Sequence, residues 1–190
     1  MRRRLLDATV DCLVRYGYAG TTTTRVTELA GVTRGAQVHH FPTRTDLVAA
    51  AVRHLAAKRA ELAFERIDEV RRSADPLDAA LDLLWEVHQT PVHYATVEMW
   101  VAARTDPDLR EQLTRVEPAA RASLIEFAEA AFGDYATNPR FRRIMYTAMD
   151  AVRGILLIGL SDEDTTNMHK RWQRAKVDLR ELINVVVRTQ

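Results

Sequence analysis

The 190-residue sequence predicts an all-α protein of about nine helices. In the segment "LLDATVDCLVRYGY", the residues Leu6, Val10, Leu13 and Val14 recur at helical spacing and share one face. Four Asp-, Thr- or Asn-Pro pairs mark further helix starts, because the first residue suits an N-cap and proline suits the first helical position. Strand-like alternation bounded by turn residues is hard to find, which supports the all-α prediction.

The first three helices are predicted to be closely spaced. Gly17 is well placed to end the first helix, and the threonine run 21–24 favours an N-cap for the second. The second helix stops at Gly31, and Thr33 can cap the third. Phe41-Pro42 ends that third helix, because proline disfavours helical geometry in the residue before it.

Longer helices are predicted beyond residue 43. Thr43-Arg44-Thr45-Asp46 is a variant of the capping box, and it starts a long helix expected from Asp46 to Arg72. Gly133 ends a later helix, in which Pro118 should cause a kink or a split. The remaining helix starts are predicted at Asp75-Pro76, Thr90-Pro91, Asp106-Pro107, Asn138-Pro139 and Ser161–Asp164.

Composition places the chain among ordinary globular proteins, with 47% hydrophobic and 28% charged residues. No apolar run is long enough for a membrane span, so we expect no membrane partner. The single cysteine, Cys12, excludes an internal disulfide framework and fits a reducing compartment. We therefore expect a cytoplasmic protein.

The segment Ala30-Gly31-Val32-Thr33 joins the second and third helices with the spacing of a helix-turn-helix motif. In such motifs the second helix lies in the major groove of DNA. Residues 1–47 hold seven arginines and four acidic residues, a net charge of +3 that can face phosphate, whereas the remainder carries −2. The sequence thus predicts a DNA-binding domain over 1–47, followed by a second helical domain over 48–190.

Small and polar residues in the third helix suit contact with DNA. Gly35 and Ala36 allow a close backbone approach, Gln37 can bind adenine through its amide, and Arg34 can bind guanine or phosphate. The neighbours His39 and His40 point about 100° apart on a helix, so a shared metal ion is disfavoured. The predicted DNA contacts, which include hydroxyls and a guanidinium at helix starts, are Thr23, Thr24, Arg25, Thr33, Arg34, Gly35, Ala36, Gln37, Val38, His39, His40, Thr43 and Arg44.

The segment "GYAGTTTTRVTELAGVTRGAQVHHFPTRTDLVAAAV", residues 17–52, resembles the N-terminal domain of the tetracycline-repressor (TetR) family. It has the Gly-Tyr turn, the Thr-Thr pair, the Leu-Ala-Gly-Val turn and the Gly-x-x-x-x-His-Phe recognition helix typical of that family. Two positions depart from the family pattern: tyrosine is frequent at Val38, where it reaches a phosphate, and leucine is frequent at Gln37. The resemblance implies a homodimeric regulator whose C-terminal domain binds a small-molecule effector and forms the dimer.

The last two predicted helices are candidates for that dimer. Apolar residues in the final helix follow a spacing of three and four, as in a coiled-coil seam. The alternative is a face buried within one chain, and the spacing alone does not separate the two. A two-fold dimer would read a pseudo-palindromic operator in double-stranded DNA. The predicted interface residues are Ala151, Ile155, Ile158, Trp172, Leu179, Leu182 and Val186.

The middle helices concentrate aromatic and methionine side chains, which line adaptable apolar pockets. Core packing is the alternative for each of these residues. The predicted effector contacts are Trp85, His88, Met99, Trp100, Arg104, Phe127, Met145, Tyr146 and Met149.

The leading hypothesis is a repressor that a small, largely apolar effector releases from its operator. One alternative is a small all-α enzyme that uses His88 or His93 with Glu98 or Arg104, but no nucleophile–base pair stands out. The other is a helical dimeric scaffold whose DNA head has lost its function. No enzyme activity is predicted. No cofactor is predicted either, because no phosphate loop or metal-ligand spacing is present.

Overall fold

A computed structural model describes residues 1–114, 116–160 and 165–188. Within these ranges the chain forms α-helices and one 3₁₀ turn, with no strand, which confirms the all-α prediction. The helices are α1 (Arg2–Gly20), α2 (Thr23–Ala30), α3 (Arg34–His40), α4 (Arg44–Glu65), α5 (Ile67–Arg72), α6 (Pro76–His88), α7 (Pro91–Ala102), α8 (Pro107–Thr114), α9 (Val116–Phe132), α10 (Pro139–Gly159) and α11 (Thr165–Arg188), with the 3₁₀ turn at Gly133–Thr137.

One of the predicted helices is interrupted. The expected helix over 46–72 breaks at Arg66, whose backbone (φ −99°, ψ 7°) separates α4 from α5. The helix that Pro118 was expected to kink or split is described as α8 and α9 on either side of residue 115, which lies outside the described residues, so the effect of Pro118 stays a prediction. With α4 and α5 counted as one helix, and α8 and α9 as one, the described part of the chain has the nine helices predicted.

Capping residues predicted from the sequence lie at several helix ends. Gly31 adopts the left-handed conformation (φ 60°, ψ 45°) and ends α2, and the hydroxyl of Thr33 accepts a hydrogen bond from the Ala36 N–H at 3.2 Å. Asp75 and Asn138 cap α6 and α10 through their side chains. The predicted start at Ser161–Asp164 lies outside the described residues, and α11 is described from Thr165 onward.

The chain divides into two compact units. The first comprises Met1–Lys58 together with Pro91–Ala120, and the second comprises Arg59–Thr90 together with Arg121–Gln190. The predicted division at residue 47 concerns function, DNA binding against effector binding and dimerisation, and it stays a prediction.

The first unit contains two apolar cores. One joins α1, α2, the end of α3 and the start of α4, with Leu5, Val26, Phe41 and Leu47 almost fully buried. The other packs the second half of α1 and the first half of α4 against α7, α8 and Val116. These cores hold α1, α2 and α3 in a fixed orientation.

The second unit is built on α6, α10 and α11. Trp85 of α6 and Trp172 of α11 lie at its centre, with ring centroids 5.4 Å apart and planes 5° from parallel. Such offset stacking adds to the burial energy of two large aromatic side chains. A smaller core around Val70, Leu83 and Phe127 joins α5, α6 and α9.

A polar network also ties α11 to α6 inside the second unit. The Lys176 ammonium donates to Asp82 at 2.8 Å and to Asp78 at 3.1 Å, and Arg180 pairs with Asp75 and Asp78. Burial opposes the charge on Lys176, but the hydrogen bonds to Asp82 and Asp78 outweigh it and raise the pKa of Lys176 above 10.5. The network therefore stabilises the charged lysine.

Candidate nucleic-acid interface

Helix α3 presents one continuous face to solvent. Arg34, Gly35, Val38 and His39 are exposed, and their spacing places them on one side of the helix. The helix is only seven residues long, with Thr33 at its N-cap and Phe41 at its C-cap. Phe41 is 5% exposed and packs into the first core, so it holds α3 against the rest of the unit. The geometry therefore leaves the predicted recognition surface accessible.

Gln37 does not belong to that surface, and the prediction that it reads a base is wrong. Its side chain is 1% exposed, and its Nε2 donates to the Phe41 carbonyl at 2.5 Å. An amide that is buried and hydrogen-bonded within the protein cannot reach a base edge. Gln37 instead closes the end of α3, at a position where the leucine frequent in the TetR family would also be buried.

Arg44 has a structural role that was not predicted from the sequence. Its Nε donates to the Thr21 carbonyl at 2.6 Å, a terminal nitrogen donates to the Tyr18 carbonyl, and the guanidinium lies 4.2 Å from the centroid of the Tyr18 ring. The start of α4 is thereby braced against the turn between α1 and α2. Two nitrogens of the guanidinium are thus bonded to backbone oxygens of the protein, and the predicted phosphate contact at Arg44 stays a prediction.

The α1–α2 turn is held from a second direction by residues that sequence reasoning missed. The Tyr18 N–H donates to Glu98 Oε2 at 2.9 Å, and the Tyr18 hydroxyl donates to Asp106 Oδ2 at 3.1 Å. Burial is the main cause that raises the pKa of the Tyr18 phenol. Gly17 makes this approach possible, since its φ is 65° and a Cβ there would lie 2.3 Å from Glu98 Oε2. The Gly-Tyr pair is the local signal, but nothing in the sequence indicates its partners.

Two further arginines among residues 1–47, Arg25 and Arg4, donate hydrogen bonds to backbone carbonyls of the protein. Arg25 is exposed, yet it donates to the Gly20 carbonyl at 2.6 Å and lies 4.8 Å from the Tyr16 ring centroid. Arg4 donates to the Ala30 carbonyl at 2.6 Å and so supports the end of α2. The predicted DNA contact at Arg25 stays a prediction.

The predicted DNA contacts also include threonines and histidines, which lie at the ends of α2, α3 and α4. Thr43 forms the predicted capping box with Asp46: the Thr43 hydroxyl donates to the Asp46 carboxylate at 2.7 Å, and the Asp46 N–H donates back at 3.0 Å. Thr24 is exposed, whereas Thr23 and His40 are half-buried. The centroid of the His40 ring lies 5.2 Å from that of His39 and 6.4 Å from that of Phe41, and the predicted DNA contact at His40 stays a prediction.

Comparison with known proteins identifies the family. The profile described as "Bacterial regulatory proteins, tetR family" matches residues 5–51. An uncharacterized HTH-type transcriptional regulator of Mycobacterium tuberculosis is 31% identical over 160 residues, which cover 80% of this chain and 82% of the relative. The chain belongs to the TetR family of transcriptional regulators. Its head is accordingly a DNA-binding helix-turn-helix domain.

Two further comparisons extend the TetR assignment. The HTH-type transcriptional repressor AcnR of Corynebacterium diphtheriae is 31% identical over 112 residues, covering 58% of this chain and 54% of AcnR. The crystal structure of the multidrug binding protein EbrR complexed with ethidium has a TM-score of 0.69 and 23% identity, covering 95% of this chain and 96% of EbrR. The likeness to EbrR shows that the fold is shared along nearly the whole length.

The predicted effector residues of this TetR protein belong to more than one apolar core. Met99 and Trp100 pack in the first unit, whereas Trp85 and Met145 share the main core of the second and Phe127 lies in its smaller core. Arg104 is exposed and does not supply a polar group to an enclosed pocket, which corrects that prediction. The three others, of which the histidine and the methionine are buried and the tyrosine half-buried, are His88, Met149 and Tyr146.

The predicted dimer residues separate into two sets. Trp172, Leu179 and Val186 are buried in the core of their own chain, so their place in an interface is wrong and the spacing of three and four reflects packing within one protomer. Ile158 and Leu182 are 56% and 47% exposed. Ala151 and Ile155 are half-buried on α10.

Proposed function

We propose that this regulator is a homodimeric repressor, which a small and largely apolar effector releases from a pseudo-palindromic operator. The observation that carries the proposal is the exposed face of α3, where Arg34, Gly35, Val38 and His39 are accessible on a helix fixed by the buried side chains of Gln37 and Phe41. A rigid helix with a small residue near its start can lie close to base edges in the major groove. The relative AcnR, described as a repressor, supports repression as the outcome.

The dimer is supported by the outer surface of α10 and α11. Ala151, Gly154, Ile155 and Ile158 follow one another at helical spacing, and a Cβ at Gly154 would meet no atom within 4 Å. Leu182 of α11 adds an exposed apolar side chain. Exposed apolar patches of this kind mark association sites, and small residues allow helices to approach closely. We expect these faces to pair across a two-fold axis.

Placing a charge on this apolar surface tests the dimer. Ile158→Arg and Leu182→Arg should convert the protein to folded monomers in analytical ultracentrifugation, because a charge cannot be buried unpaired in an interface. Val101→Arg is a matched control, since Val101 is 62% exposed but lies on α7 of the first unit. Monomers in all three variants, or dimers in all three, would contradict the proposed surface.

The function itself is tested by selecting bound duplexes from a random pool at two salt concentrations. We expect an enriched palindrome with a constant half-site spacing, and an affinity that falls with salt because phosphate contacts release counterions. A folded dimer that enriches no sequence would contradict the repressor and favour the helical scaffold.

Release by an effector is supported by the shared fold of EbrR, a multidrug binding protein whose structure was determined with ethidium. The buried aromatic and methionine side chains of the second unit offer the adaptable apolar surface that such ligands require. An effector shifts the equilibrium only by its differential affinity for the DNA-bound and released states. Titration of a bound, labelled operator with candidate ligands should therefore give a saturable loss of binding.

A further inference from the structure

The guanidinium of Arg59, on α4, has no counterion among the described residues of the second unit. Its Nε is enclosed and has no hydrogen-bond partner within the described part of the chain. Burial, and to a smaller extent the positive charge of Arg153 on α10, lower the pKa of Arg59 to about 10. The group is still protonated near neutral pH, so a half-buried cation faces a second cation.

Several other buried or half-buried cations of the same unit have carboxylate partners. Lys176 contacts two aspartates, Arg180 contacts two more carboxylate oxygens, and Arg142 contacts Glu129. Arg66 contacts two glutamates. An isolated buried charge is expensive, and proteins offset that cost with a counterion or a ligand. Arg59 has an enclosed Nε without such a partner in the described part of the chain, and an anion from outside that part would offset its charge.

The surroundings of Arg59 on its own helix are apolar. Ala63 lies one turn further along α4 and packs against the smaller core. The next residue, Phe64, also packs against that core, where the Phe64 and Phe127 rings meet edge to face with centroids 5.7 Å apart. On α10, Arg153 continues the helix face that carries Met149 and Tyr146. A ligand that meets Arg59 would therefore find aromatic and apolar side chains beside the charge.

We propose that Arg59 binds the carboxylate of an amphipathic organic acid, so that the effector is an anion with an apolar body. A carboxylate matches the planar fork of a guanidinium, and an apolar body suits Phe64 and the smaller core. This inference rests on the effector-responsive repressor proposed above and names the chemical class of its ligand.

The test compares carboxylates with their neutral amides. Thermal unfolding is followed with benzoate, 2-naphthoate and decanoate, each beside benzamide, 2-naphthamide or decanamide. In the unmodified protein at least one acid should bind at least about tenfold more tightly than its amide, the discrimination that a hydrogen bond to a charged group provides. Arg59→Met should abolish that preference, and Arg143→Met, at an exposed arginine of α10, should keep it. Absence of any preference in the unmodified protein overturns the proposal.

A second readout needs no ligand. Without ligand, Arg59→Met should raise the melting temperature by at least about 3 °C, because it removes a buried charge, while Arg143→Met should leave it unchanged. A lower melting temperature with Arg59→Met and with the polar variant Arg59→Gln would mean that the guanidinium stabilises the fold, and it would overturn the proposal. Specific operator binding without any acid preference would refute this inference alone, whereas acid binding by a protein that enriches no operator would refute the proposed repressor alone.

Discussion

Arg44 braces the start of α4 against the Tyr18 and Thr21 carbonyls, and this brace leads to a prediction that distinguishes a role in folding from a role in DNA contact. Arg44→Ala removes two charge-assisted hydrogen bonds to the Tyr18 and Thr21 carbonyls and the contact with the Tyr18 ring. Each such bond contributes about 1.5–3 kcal/mol, and an exposed cation–π contact adds about 0.5–1 kcal/mol. Water can reach these partly buried carbonyls in the variant, so the low end applies and we expect a loss of about 3 kcal/mol.

Thermal and urea unfolding measure that loss, and a salt titration of DNA binding assigns its cause. A loss of about 3 kcal/mol should lower the melting temperature by about 6–12 °C in a chain of this size. The slope of log affinity against log salt should stay unchanged for the folded fraction of Arg44→Ala. Arg34→Ala is the matched comparison: Arg34 is exposed on α3, and if it contacts one phosphate per head the slope of a dimer should become shallower by about 1.8 at unchanged stability. An Arg44→Ala protein of normal stability with a shallower slope would refute the brace.

Four further predictions follow from buried or strained positions. Gln37→Ala should cost about 1–3 kcal/mol by leaving the Phe41 carbonyl without its partner, with the base preference unchanged in duplex selection; a stable protein with relaxed preference at one position would argue against this. Gly17→Ala should cost about 1–3 kcal/mol in urea unfolding, since φ is 65° and the new Cβ would meet Glu98, and equal stability would contradict that geometry. Trp172→Ala should cost about 3–5 kcal/mol by opening a cavity beside its stacked partner, whereas a stable monomer would restore it to the interface. The folded-state pKa of Lys176 is raised, so the stabilisation by Lys176 should be fully present below pH 10.5 and be lost as the pH rises through that folded-state pKa. It is measured as the difference in unfolding free energy between the unmodified protein and Lys176→Gln. A difference that grows above pH 10.5 would contradict this sign.

The helix-turn-helix head was predictable because its signals are local. Gly31 needs a left-handed backbone, Thr33 caps the next helix, and Phe41-Pro42 ends it, each for a reason that operates within a few residues. The same holds for the proline pairs that start the later helices. The break at Arg66 was missed because no glycine or proline marks it.

The roles of individual side chains in the head were less predictable. Helix α3 has only seven residues, too few for periodicity to show which side faces the core, so Gln37 and Val38 could not be assigned to the inner and outer faces from sequence. A polar residue on a recognition helix looks like a base reader until its hydrogen-bond partner is known. From the sequence, Arg44 likewise looks like a phosphate contact. Only the tertiary structure shows that its guanidinium is hydrogen-bonded to the Tyr18 and Thr21 carbonyls.

The amino-acid sequence by itself determined the helical class, the helix ends and the TetR-type head, because capping, helical periodicity and backbone restriction act between near neighbours along the chain. Tertiary structure alone decided that Trp172, Leu179 and Val186 face their own protomer, and that Arg59 is enclosed beside Arg153. A spacing of three and four produces the same apolar stripe whether its partner helix belongs to the same chain or to another. Which helix covers a stripe, and which charge is left without a counterion, depend on contacts between residues far apart in sequence.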